Sequence, residues 1–134
     1  MDKRSIISIP YWKTISISVL IMMLCLIPAS ELNKLNVKVQ FGDIVIHFFM
    51  FLTFAVALFF DLKKYCSDRF TKFSPYIIAL TISVLFGITT ETLQYVLTFL
   101  NRSGNYIDLL FDFFGCLAGI GIVKFIKRKS AAGF

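Results

Sequence analysis

The sequence predicts an all-α integral membrane protein, a four-helix bundle with both termini in the cytoplasm. Three observations predict it. Of 134 residues, 57% are hydrophobic and 16 are Phe, more apolar bulk than a soluble domain of this length hides in one core. Four long apolar runs are separated by short polar segments, and each run approaches the roughly 20 residues that cross about 30 Å of hydrocarbon. The basic residues are divided unevenly: Lys3, Arg4 and Lys13 precede the first run, Lys63, Lys64, Arg69 and Lys72 lie between the second and third, and Lys124, Lys127, Arg128 and Lys129 end the fourth. Only Lys34, Lys38 and Arg102 fall in the other two connections. Basic loops stay in the cytoplasm, so the termini and the central loop are placed inside. The length suits one transmembrane domain over residues 1–134, with about four spans and no separate soluble domain.

The formal charge of +6 would suggest nucleic acid in a soluble protein. Here it sits in short clusters between apolar runs, which is the signature of topology, so nucleic-acid binding is excluded. Cys25, Cys66 and Cys116 lie far apart with no CxxC pattern and read as free, apolar thiols.

The first span is placed at about 9–28. Tyr11 and Trp12 stand at its start, where amphipathic rings favour the headgroup level. Pro10 suits a first helical turn and Pro28 an end, since proline lacks the amide donor an interior turn needs. The alternative, a cleaved signal peptide ending near Ala29 and Ser30, is the weaker reading. The second span is placed at 43–60, with Asp43 as N-cap and His47 as its one titratable residue. The preceding ELNKLNVKVQFG is polar, with a short alternation that would suit the interface, and is assigned no structure. Residues 61–72 read as a hydrophilic turn. Ser74-Pro75 is a cap followed by a first-turn proline, and opens a third span over 75–100. NRSGNY holds the residues tight turns demand, and the fourth span follows at 107–126.

Polar groups are costly in hydrocarbon and mark functional sites or pathways. Seven lie in or beside these runs: Asp43, His47, Glu91, Gln94, Arg102, Asp108 and Asp112. Residues three or four apart share a helix face, which pairs Asp43 with His47, Glu91 with Gln94 and Asp108 with Asp112. Spans two and four enter from outside and span three exits there, so the three pairs fall at one depth beneath an outward-facing mouth. All seven are candidate binding residues. His47 and Glu91 are the candidates for general acid–base catalysis, should there be a reaction. The competing reading is that polar side chains glue helices together in lipid. No metal site and no cofactor is assigned, one His among oxygen ligands at unknown distances being weak ground. Gly87, Gly115 and Gly119 are assigned to helix packing. Close approach inside the bundle is the first use of the Gly115-x-x-x-Gly119 stripe, and a homo-oligomer the second.

Asp43-x-x-x-His47-Phe48, Glu91-x-x-Gln94, Arg102 and Asp108-x-x-x-Asp112-x-x-Gly115-x-x-x-Gly119 together resemble the VanZ-like family of small bacterial membrane proteins. The match covers about two thirds of the chain, from the second span to the end. Many relatives carry Asn at the place of Asp112 and Lys at that of Ile44. The family's named member is associated with resistance to teicoplanin, a glycopeptide that binds cell-wall precursors. The resemblance implies a multi-pass protein of the bacterial cytoplasmic membrane whose partners are membrane lipids, a lipid-linked cell-wall precursor or a glycopeptide. Three functions stay open: lipid or precursor binding, an integral-membrane enzyme acting on such a lipid or peptide, and a small proton-coupled carrier.

Overall fold

Helix α3, Val39–Tyr65, is the axis around which the other helices pack. The computed structural model describes residues 11–34, 39–65, 74–101 and 106–131. Within them the chain is all helical: α1 Trp12–Cys25, α2 Ala29–Lys34, α3, α4 Pro75–Val96 and α5 Tyr106–Ala131, with one 3-10 turn at Thr98–Leu100. The broadest contact is between α3 and α5; α4 packs on both, and α1 lies mainly against α3.

Helices α3, α4 and α5 are long and apolar enough to cross a membrane, and α1 is a shorter apolar helix. At 1.5 Å per residue the 14 residues of α1 reach about 21 Å, short of the hydrocarbon thickness. Pro10 lies outside the described residues. The helix ends at Cys25 and Pro28 follows, its carbonyl accepting the Glu31 N–H as α2 begins. The segment ELNKLNVKVQFG, assigned no structure from the sequence, is thus helical over Glu31–Lys34 in α2 and Val39–Gly42 in α3.

Two further expectations are corrected. Asp43 is not an N-cap: α3 begins at Val39, so Asp43 lies in its second turn. Residues 61–65 are not a polar turn: α3 continues through them to Tyr65, and Asp61 is buried at 2% exposure. The sequence reading treated charge as exposure, whereas this carboxylate faces another helix. The start of α4 is as expected, with Ser74 extended and Pro75 in the first turn. Asn101 is left-handed at φ 51°, a conformation asparagine tolerates, and ends the 3-10 turn where the break was placed. Residues 102–105 lie outside the described set.

Cross-helix bonds fix the directions. His47 near the start of α3 meets Asp112 near the start of α5 and Glu91 near the end of α4. Asp61 near the end of α3 meets Thr14 near the start of α1. Hence α1 and α4 run one way, α3 and α5 the other, and the start of α1 lies at the same end of the bundle as the end of α5.

Lipid replaces water on the outer faces. Large apolar groups such as Phe49, Leu85, Phe99 and Phe125 are exposed, which an aqueous surface does not tolerate in such number. Exposed hydroxyls of Thr53, Thr89 and Thr92 bond back along their own helix, to the Phe49, Leu85 and Ile88 carbonyls, so that these three are not left bare in hydrocarbon. Inside, Gly115 and Gly119 let α5 touch the backbone of α3. A Cβ on Gly115 would collide with the Phe48 carbonyl oxygen, and one on Gly119 would lie 2.6 Å from that of Leu52. Gly121 faces open space, so the stripe serves packing within the bundle.

A candidate functional site among three helices

Three helices deliver one side chain each to a single point. His47 lies eight residues from the start of α3, Asp112 six from the start of α5 and Glu91 five from the end of α4. At 1.5 Å per residue these depths are about 12, 9 and 8 Å, so antiparallel packing brings them to one level. Close approach of α5 to α3 at Gly115, one turn beyond Asp112, makes the meeting possible. Gly87 does the same for α4: a Cβ there would lie 3.3 Å from the Phe51 ring and 3.5 Å from Asp112 Oδ2.

A hydrogen bond of 2.9 Å joins His47 Nδ1 to Asp112 Oδ1, and Glu91 Oε1 is 3.7 Å from the same nitrogen. Exposures are 2% for His47, 7% for Glu91 and 1% for Asp112, so all three groups lie inside the bundle. Asp112 Oδ2 is buried with no hydrogen-bond partner among the described residues. A bare buried carboxylate oxygen costs of the order of 1–3 kcal/mol, and such a cost is concentrated where function requires it.

Of the seven residues singled out from the sequence, the structure therefore brings three into contact. Asp108, half-buried in the first turn of α5, is one turn from Asp112 and adds its negative charge to the field at His47 and Asp112. At a helix N-terminus a carboxylate is favoured by the dipole. Asp43 is half-buried one turn before His47 on the mouth side. Gln94 is buried, and its amide donates to the Cys25 carbonyl at the end of α1, 3.0 Å away, where a helix C-terminus has carbonyls to satisfy. Arg102 lies outside the described residues. Cys116, one turn beyond Asp112, and Cys25 are buried free thiols, as expected; Cys66 is outside the described set.

Two features of the site were not singled out from the sequence. Phe51, wholly buried, floors the cluster and packs with Phe54 and Phe86 in a layer of interlocked rings. Beside the cluster a groove of about 270 Å³ runs between α4 and α5, walled by Val84, Ile88, Tyr106, Leu109, Leu110 and Phe113, with Asp112 as its one acidic wall. Nothing in the sequence distinguishes these apolar residues from others that face lipid.

The class defined by this fold and site is an integral membrane bundle that buries a histidine between two carboxylates near one end of its crossing helices. The particular family follows from comparison: the VanZ/LLP1 family model matches residues 6–127, and the chain belongs to that family. No curated protein and no solved structure matches it.

Proposed function

We propose that this VanZ-type envelope protein binds a membrane lipid or lipid-linked cell-wall precursor, and contributes in that way to glycopeptide resistance of the teicoplanin type. The groove between α4 and α5 carries the reading. Its walls are aliphatic and aromatic, it opens on the lipid-facing side through Ile88, Leu110 and Phe113, and it leads to Asp112. A hydrocarbon chain would lie in the groove and a polar head at the end of the bundle that holds His47. The charge bias of the loops supports reading that end as the outer one in a bacterial cytoplasmic membrane, with both termini within. There Asp43 and Asp108 would accept from amines or sugar hydroxyls. Arg102, which the sequence sets between α4 and α5, would take phosphate or pyrophosphate, as a guanidinium does well.

Native mass spectrometry of the purified protein tests this. The expected result is a retained phosphate-bearing lipid that Arg102→Ala weakens and Leu110→Trp, by filling the groove, displaces. Equal retention by native protein and both variants would overturn the assignment.

The 2.9 Å contact between His47 and Asp112 favours a second reading, an integral-membrane enzyme in which Asp112 orients His47 as general base. Turnover of the retained lipid that stops in His47→Ala would select it. The layer of Phe51, Phe54 and Phe86 beneath the cluster speaks against the third alternative, a proton-coupled carrier, which needs a polar route across the bilayer.

A further inference from the structure

We infer that His47, Glu91 and Asp112 form a binding site for one divalent transition-metal ion. No metal was assigned from the sequence because the distances between one histidine and several acids were unknown. The fold closes those distances. One ligand-type atom from each residue lies within 4.8 Å of the other two, with His47 Nδ1 2.9 Å from Asp112 Oδ1 and 3.7 Å from Glu91 Oε1. Donors that share an ion at 2.0–2.2 Å stand roughly 3 to 4 Å from one another, so small shifts of the side chains admit an ion between them.

A second observation points the same way. Asp112 Oδ2 is buried, has no hydrogen-bond partner among the described residues and lies against the gap left by Gly87. A bound cation is the strongest local answer to a bare carboxylate oxygen in such a place. Two carboxylates and a neutral imidazole also bring a divalent ion to net neutrality, which a low-dielectric site favours. The mixed nitrogen and oxygen set suits Zn²⁺ or Mn²⁺ better than Cu⁺, which prefers sulfur, or Ca²⁺, which takes six to eight oxygens. Three protein ligands leave positions open for water or for a ligand's oxygen, the arrangement of reactive rather than closed structural sites. The groove that ends at Asp112 gives a path to those positions.

The inference does not rest on lipid binding, and its test is separate. Full-length protein in detergent is equilibrated with Zn²⁺ or Mn²⁺, and bound metal is counted by elemental mass spectrometry. The expected result is one ion per chain, with at least about tenfold weaker binding in Glu91→Gln and Asp112→Asn, since even outer-shell changes cost that much. Asp61→Asn, at the far end of the bundle, keeps native affinity. Co²⁺ added to native protein should give the visible absorption of a nitrogen–oxygen site, a readout that needs no variant to fold. Metal below a detergent blank in folded native protein, unchanged affinity in both site variants, or a Co²⁺ spectrum identical to that of the free ion would each overturn the site.

Discussion

Two buried polar contacts of this bundle stand at opposite ends of α3, fourteen residues or about 21 Å apart, and they are built to different rules. At Asp61 one carboxylate oxygen accepts both the backbone N–H and the hydroxyl of Thr14, at 3.0 and 2.8 Å. Thr14 lies in the first turn of α1, so Asp61 caps that helix from another part of the chain and meets its positive end. Both donors of Thr14 are satisfied, and the contact joins two helices. At His47 three helices meet, two carboxylates crowd one imidazole nitrogen, and an oxygen of Asp112 is left bare. The first arrangement is what a bundle needs to hold together. The second leaves bonding capacity unused in the place where an incoming group would use it.

The hardest blow to the His47 end comes from the helix that supplies Asp112. Gly115→Ala puts a methyl group into the Phe48 carbonyl oxygen; backbone cannot yield as a flexible side chain does, so α5 must move off α3 and take Asp112 from His47. The expected outcome is loss of folded protein, or overpacking of about 1–3 kcal/mol with the cluster broken. Gly121→Ala, whose new methyl meets nothing, should accumulate as the native protein does. Membrane abundance and thermal melting of the two variants measure the contrast, and equal behaviour would show that the close approach is not needed.

Truncating the acids sharpens the comparison further. Asp61→Ala strands two donors of Thr14 and should cost about 2 kcal/mol, through the lost cap and the unpaired groups. Asp112→Ala removes one bond to His47, whose nitrogen has Glu91 within 3.7 Å to turn to, and takes away an oxygen that had no bond to lose. Its cost should be about 1 kcal/mol or less, while retention of lipid or metal falls. Thermal melting of both in one detergent decides the point. If Asp112→Ala melts as low as Asp61→Ala, the His47 cluster is glue as well and the contrast between the ends disappears.

The sequence carried unequal amounts of the two sites. At the His47 end the pairs three or four residues apart fell in or beside apolar runs, so polarity itself was the signal, and the alternation of directions brought His47, Glu91 and Asp112 to one depth. Asp61 gave no such signal. It adjoins Lys63 and Lys64 and heads a polar stretch, so its charge read as solvent-facing, although α3 carries it one more turn into the bundle beside α1. Asp43 erred the other way: an acid just before an apolar run is the mark of an N-cap, but Val39 and Phe41 extend the helix past it. The start of α4 was legible because proline fixes a backbone angle locally, while the α4–α5 groove was not, because it exists only as the space between two helices.

Gln94 links the comparison to the remaining helix. It shares a face of α4 with Glu91 and was grouped with the cluster on that ground, yet its amide reaches across to the Cys25 carbonyl of α1. In its chemistry it behaves like Asp61: a buried side chain closes the open end of another helix, and Asp61 and Gln94 together tie both ends of α1 to the bundle. Gln94→Ala removes one neutral hydrogen bond, so the expected cost is about 1 kcal/mol, below that of Asp61→Ala. Metal and lipid retention should stay native, because the three helices that carry His47, Glu91 and Asp112 still pack on one another without α1. Loss of either ligand in Gln94→Ala at undiminished helicity would move Gln94 from the scaffold into the site.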